Sequence, residues 1–274
     1  MPELPEVETI VLALRAGLGR ARILDAIVHR SDIIRSGTRD LPGRLIGRRI
    51  VSVEREGKRI KLMLTPDGQC IFHLGMSGRL TLERPRAPLL SHTHIQIRFA
   101  SRVGELRFRD PRRFGGVWFF DGGPSGAAAG LASLGPDALT IRAPVLRGIC
   151  RRGRGIKALL LDQQVVSGLG NIYTDESLFD ARIHPLRRAS ELADGQVGRL
   201  AGSIRKILRR SIDSGGATLR DYRKADGSEG AFQRICRVYG REGQACLRCG
   251  SPVRRILVAG RSTHVCAVCQ PLEA

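Results

Sequence analysis

The sequence has no apolar stretch long enough to span a bilayer, no secretory signal at its start and no internal repeat. The first two absences lead to the expectation of a cytoplasmic protein with no membrane partner. No helical repeat implies a coiled-coil oligomer, so a monomer is expected. Acidic residues are also scarce, with 26 Asp plus Glu against 46 Lys plus Arg, a formal charge of +20 and a sequence pI near 11.1. The excess is mostly arginine, whose planar fork suits phosphates and base edges, so a nucleic-acid partner is expected. Cys70, Cys150 and Cys236 show no pair spacing, which excludes a disulfide framework and leaves them as packed, reduced thiols. At 274 residues the chain can bury real cores, and its length suggests about two domains.

Four cysteines do show a pattern. Cys246-Leu-Arg-Cys249 and Cys266-Ala-Val-Cys269 are separated by 16 residues, the spacing of a four-thiolate zinc ribbon. One structural Zn2+ would close a hairpin too small to fold on its own apolar surface. Residues 252–258 and 261–265 read as its strands, with Ala259-Gly260 at the turn and Arg261 near the tip.

The amino terminus offers a different chemistry. Pro2 follows the initiator Met1, and a small second residue favours removal of Met1, which leaves Pro2 as a secondary amine. Free α-amino groups have a reference pKa of about 7.7–8.0, so part of the population is neutral near pH 7. Such an amine can attack a sugar aldehyde, and its iminium stays cationic without a proton, which suits elimination. Val7, Ile10, Val11, Leu14 and Leu18 recur at helical spacing, and Pro5 suits a first helical turn. Glu3 and Glu6 therefore flank the amine. Acidic residues at a helix start also have a plain electrostatic role, which covers Glu6 and Glu8 better than Glu3, placed before the helix.

Between the termini the pattern changes once. Short alternating runs from Ile23 to Phe120 (Ile60, Leu62, Leu64; Ile71, Phe72; Ile95, Ile97, Phe99) predict antiparallel, half-buried strands in a sandwich or barrel, against which the first helix packs. From Asp121 to Pro144 a Gly, Ala, Ser and Pro-rich stretch reads as a linker. Helical spacing follows, ending in a stripe from Val197 to Ile212 that Gly215-Gly216 stops. Within 157–179, a short helix ends near Gln163, and the glycine-rich turn Val165–Gly170 leads into a second helix opened by Asn171. Such a turn can offer backbone N–H groups to phosphate, although most are only connectors. The domain expectation is 1–121, a linker 122–144, 145–235 and a zinc finger 236–274.

Five motifs occur in one order: Met1-Pro-Glu-Leu-Pro-Glu-Val-Glu-Thr9, His73-Leu-Gly-Met-Ser-Gly78, Asp110-Pro-Arg-Arg-Phe-Gly115, Gly168-Leu-Gly-Asn-Ile-Tyr173 and the cysteine ribbon. Together they resemble the formamidopyrimidine-DNA glycosylase family, bacterial enzymes that excise oxidised purines, over almost the whole chain. Leu4 in the opening motif resembles this family more than endonuclease VIII, which acts chiefly on oxidised pyrimidines. An endonuclease VIII-like activity and a non-catalytic zinc-ribbon DNA-binding protein are the alternatives; a binding module would need neither Pro2, Glu3 nor Lys58.

The resemblance implies a multidomain α+β fold. An N-terminal β-sandwich with a long amino-terminal helix is joined to a helical domain with a helix-two-turn-helix and a zinc finger, and damaged duplex DNA lies in the cleft between them. A bacterial, nucleoid-associated location is implied with it. Pro2 would be the nucleophile at C1′, Glu3 would assist departure of the base and opening of the sugar, and Glu6 would hold the amino-terminal site. Lys58 matches the lysine assigned to proton transfer in β-elimination, although alone it reads as a solvated turn lysine. Arg261 matches the finger arginine assigned to δ-elimination. His92, Arg112, Arg152 and Asn171 match DNA-contacting positions, and His73 and Lys157 are placed with them. Met76, Arg112 and Phe114 would fill the space left by an extruded nucleotide, where the residue types alone would put Met76 and Phe114 in the core. One departure stands out: the loop that covers the extruded base often reads Lys-Pro-Gly-Tyr-Phe in relatives and here is Ser228-Glu229-Gly230-Ala231-Phe232.

Overall fold

Helix α1 (Leu4–Leu18) starts with Pro5 in its first turn, where the missing N–H removes no hydrogen bond, and buries Leu4, Val7, Ile10, Val11, Leu14 and Leu18 along one side. The computed structural model describes residues 1–35, 40–100, 104–122, 133–219 and 221–272. The chain packs as two units, Met1–Ser133 with Ser214–Ala231, and Leu134–Asp213 with Phe232–Ala274.

In the first unit the alternating runs become β1 (Ile23–Val28), β2 (Ile50–Glu56), β3 (Arg59–Leu64), β4 (Gly68–His73), β5 (Arg79–Glu83), β6 (Thr93–Phe99), β7 (Glu105–Arg109) and β8 (Gly116–Asp121), with a short helix α2 (Leu41–Leu45) between β1 and β2. They form two four-stranded sheets, ordered β1-β6-β7-β5 and β2-β3-β4-β8, with every strand pairing antiparallel. Inward residues of both sheets (Ile60, Leu62, Phe72; Ile95, Ile97, Phe108) and the buried side of α1 share one apolar cluster, which makes the unit a sandwich sealed by a helix. Gly17 lets α1 approach β5 closely, since a Cβ there would sit 2.6 Å from Leu82 Cδ2.

The second unit holds α3 (Ala143–Cys150), α4 (Ile156–Leu161), α5 (Asn171–Ala181), α6 (Asp194–Asp213) and the hairpin of β9 (Arg254–Val258) and β10 (Arg261–Val265). The stripe from Val197 to Leu208 faces α5, which is itself buried along most of its length. Beyond α6, Gly215 and Gly216 take φ of 74° and 81°, a left-handed backbone that stops the helix where the glycine pair was expected to. No helix among the described residues is long and apolar enough to cross a membrane.

Two segments differ from the sequence expectation. Residues 123–132 of the expected linker lie outside the described residues, but from Leu134 the chain already belongs to the second unit, with Ala138 and Ile141 buried and Asp137 bridged to Ser167. Residues 214–231, expected with the helical domain, pack with the sandwich instead: Tyr222 and Ala225 join its core, and the Leu82 N–H donates to the Ala225 carbonyl at 3.0 Å.

Candidate active site and nucleic-acid interface

At the start of α1, Met1 is 55% exposed whereas Pro2, Glu3 and Glu6 are buried. Glu3 occupies the N-cap position, so it does have a structural place that the sequence did not suggest. The Glu6 carboxylate divides its two oxygens. Oε2 accepts the Glu3 N–H at 2.8 Å, and Oε1 accepts the Ala217 N–H at 2.7 Å, which fastens the amino-terminal turn to the returning segment 214–231. Hydrogen bonds to a charged group contribute about 1.5–3 kcal/mol each, so Glu6 is a strong anchor for this turn.

Lys58 lies in the two-residue turn between β2 and β3, where Gly57 supplies the positive φ of 58°. It is only 8% exposed, which sets aside the solvated turn lysine. Arg55 holds the turn against the first helix: its guanidinium donates to Glu8 at 2.5 Å and to the Gly57 carbonyl at 3.1 Å. Arg59, across from His73 in the β3–β4 register, shares this edge. Burial, reinforced by the charges of Arg59 and Lys58, pushes His73 below the ordinary histidine range.

A second cluster joins the turns 73–78 and 110–115. Asp110, fully buried, accepts Ser77 Oγ at 2.6 Å and the Arg112 N–H at 3.3 Å on Oδ1, and the Gly115 N–H at 2.7 Å on Oδ2. The turns meet so tightly that a Cβ on Gly75 (φ 60°) would lie 2.4 Å from Gly115 N. What they present outward is Met76, 42% exposed, and Phe114, 55% exposed, with the Arg112 guanidinium 4.5 Å from the Phe114 ring. Met76 and Phe114 are therefore not core residues. His92 is exposed in a left-handed conformation (φ 65°), and its carbonyl accepts the Asp110 N–H. The organising role of Asp110 went unnoticed in the sequence, although it opens the motif quoted there.

In the second unit Arg261 is exposed at the hairpin tip, after Ala259 (φ 50°) and Gly260 (φ 70°), the pair of positive φ values that a tight turn between twisted strands requires. Asn171 Nδ2 donates to the Ser262 carbonyl at 2.7 Å, while its buried Oδ1 has no partner among the described residues. Arg152 is exposed. Two expectations are corrected here. Lys157 has no exposed surface and its ammonium is held by Asp175 Oδ1 at 2.6 Å and Thr263 Oγ1 at 2.7 Å, so it cannot touch DNA directly. The turn 165–170 is buried, and the Gly168 N–H is taken by Gln163 Oε1 at 3.0 Å, so that donor is not offered to phosphate.

The four ribbon cysteines place their Sγ atoms within 4.8 Å of one another, with Cys246–Cys269 at 3.9 Å and Cys249–Cys266 at 3.5 Å. A tetrahedron with Zn–S bonds of about 2.3 Å has S···S edges of about 3.8 Å, so the set fits one zinc ion and is far too open for disulfides. Cys70, Cys150 and Cys236 are buried free thiols.

In the loop 228–231, Glu229 pairs with Arg223 at 2.9 Å, and Gly230 donates to Thr218 Oγ1 at 2.9 Å. A Cβ on Gly230 would stand 2.2 Å from the Gly216 carbonyl oxygen, so glycine is required there.

Comparison with known proteins matches this architecture in full. Residues 1–117 fit the formamidopyrimidine-DNA glycosylase N-terminal domain, 134–223 its H2TH domain, and 243–272 the zinc finger found in FPG and IleRS. Formamidopyrimidine-DNA glycosylase of Brevibacillus brevis is 40% identical, covering 98% of this chain and 99% of that one, and the Gluconobacter oxydans protein of the same name is 41% identical over 98% and 100%. Among solved structures, a Lactococcus lactis FPG mutant in complex with Fapy-dG-containing DNA is 34% identical with a TM-score of 0.90, covering 98% of this chain and 100% of that one. MutM (FPG) from Thermus thermophilus is 39% identical, with a TM-score of 0.86 and 98% of both chains covered. The chain belongs to the formamidopyrimidine-DNA glycosylase family.

Proposed function

We propose that this protein excises oxidised purines from duplex DNA and then cleaves the strand at the resulting abasic site through an iminium on Pro2. The observation that carries the reading is the construction around the amino terminus. Met1 is exposed to removal, Pro2 and Glu3 are buried at the head of α1, and Glu6 anchors that turn by two backbone hydrogen bonds. A binding module has no use for a terminal secondary amine fixed in this way.

The chemistry follows from the groups present. The Pro2 nitrogen attacks C1′ as the base leaves, with Glu3 assisting departure and ring opening, and the iminium so formed acidifies the C2′ proton. Loss of that proton, with Lys58 as the transfer group, lets the C3′–O bond break and the electron pair leave on the phosphate of the 3′ strand. A second loss of proton, from C4′, breaks the C5′–O bond, and Arg261 neutralises the phosphate that departs. Hydrolysis of the iminium returns the amine. Because C1′ is shielded in a duplex, the damaged nucleotide must leave the stack, and Met76, Arg112 and Phe114 fill its place. His92, Arg152 and Asn171 hold phosphates, and the zinc ion, when bound, supplies the hairpin's fold and no chemistry.

Replacing Glu3 by Gln removes the acid and leaves the amine. Excision of 8-oxoguanine should then be lost while a preformed abasic site is still nicked; equal loss of both activities in single-turnover assays would refute this division of roles.

A further inference from the structure

Beneath the hairpin tip lies a buried charged network that the chemistry above does not use. Lys157 of α4 and Asp175 of α5 form an ion pair with both side chains 0% exposed. Lys157 Nζ also donates to Thr263 Oγ1 at 2.7 Å and to the Ser262 carbonyl at 3.3 Å. Asp175 Oδ2 accepts the His264 N–H at 2.9 Å, and Thr263 Oγ1 donates in turn to the Arg261 carbonyl at 3.1 Å. Four consecutive residues of β10, from Arg261 to His264, are therefore tied to one ion pair shared by two helices.

Stability alone does not account for this. A buried ion pair is often matched or exceeded by apolar side chains of similar volume. What apolar packing does not supply is direction: three of the bonds here fix backbone groups of the strand that begins at Arg261, the Arg261 and Ser262 carbonyls and the His264 N–H. The outer side of the hairpin gives little support, since Leu257 of β9 is 73% exposed.

We propose that Asp175 and Lys157 are positioning residues that set the trajectory of Arg261, and so decide how much of the first elimination product proceeds through the second. The inference rests on the proposed lyase reading. Breaking the C3′–O bond after loss of the C2′ proton does not call on Arg261. Breaking the C5′–O bond after loss of the C4′ proton does, because its electron pair leaves on the phosphate that Arg261 neutralises. Displacing Arg261 thus lowers the second step selectively.

The test uses the full, zinc-loaded chain on a duplex with a preformed abasic site, and reads the ratio of 3′-phosphate ends to 3′-unsaturated-aldehyde ends. Thr263→Val keeps the side-chain shape and removes the hydroxyl that links Lys157 to the Arg261 carbonyl; Asp175→Asn removes the counter-charge; Arg261→Ala is the reference for loss of the second step. Zinc content and a cooperative melt establish folding. The ratio should fall on the order of tenfold in Asp175→Asn and by less in Thr263→Val, since an ångström of misplacement costs up to about a hundredfold. The first elimination and the borohydride-trapped yield should remain near those of the unsubstituted protein. An unchanged ratio in folded Thr263→Val and, where it folds, Asp175→Asn overturns the inference, as does a parallel loss of both eliminations, which marks a merely structural network. Absence of any strand cleavage by the unsubstituted protein overturns the lyase reading beneath it.

Discussion

His73 shows how a single residue can report the charge of its surroundings. Its ring is held neutral by burial and by the nearby cations Arg59 and Lys58, while Gly75 N–H donates to its Nδ1 at 3.3 Å. The unfolded chain therefore binds a proton at this residue more readily than the folded one. Its stabilising contribution is complete above the ordinary histidine pKa of about 6.5 and is lost as pH falls from there through the lowered folded value. His73→Gln should flatten the decline in melting temperature between about pH 7 and pH 5; an identical decline in both proteins would show that His73 does not carry it. Other residue-scale features were beyond the reach of the sequence. The turn holding Lys58 was legible, since Glu-Gly-Lys lies between alternating runs, but its burial was not, because Arg55 and Glu8 that hold the turn are 47 residues apart. Lys157 was misplaced for the same reason: its partners lie at 175 and 263, and a basic residue in a basic chain gives no local sign of being buried.

Among the elements, those with a strong period were legible. The spacing of Val7, Ile10, Val11 and Leu14 specifies α1, the alternation of Ile60, Leu62 and Leu64 specifies β3, and Ala259-Gly260 marks the hairpin turn between β9 and β10. The returning segment 214–231 was not legible, because its attachment is the Glu6–Ala217 hydrogen bond across 211 residues and no regular element among its described residues carries a period. The ribbon was legible because zinc ligand spacing is a chemical constraint rather than a propensity. Removing the ion should unfold the hairpin, which loses its closing ligands, and with it Arg261 and the Ser262 carbonyl that Asn171 holds. DNA affinity and strand cleavage should fall together on chelation, while the amino-terminal turn of the first unit keeps its structure by spectroscopy. Full activity of protein shown by metal analysis to lack zinc would contradict this.

The molecule as a whole carries a formal charge of +20, and on the proposed function that excess governs its approach to DNA. Each phosphate neutralised releases condensed counterions, so the affinity for duplex should fall with a log–log salt slope of about −0.9 per contact. Arg112→Ala, at a residue proposed to enter the base stack, should weaken binding with little change in that slope, whereas Arg152→Ala should reduce it by about one phosphate's share. A slope near zero for the unsubstituted protein would refute the phosphate-based interface. The central claim, however, is covalent. Borohydride added during turnover of an 8-oxoguanine duplex should reduce the iminium and leave one DNA strand attached to the protein. Peptide mass analysis should then place the adduct on Pro2 with Met1 absent, and a residue added ahead of Pro2 should abolish the adduct. Active excision with strand cleavage but no trapped adduct, or an adduct on a lysine with Pro2 unmodified, would contradict the account.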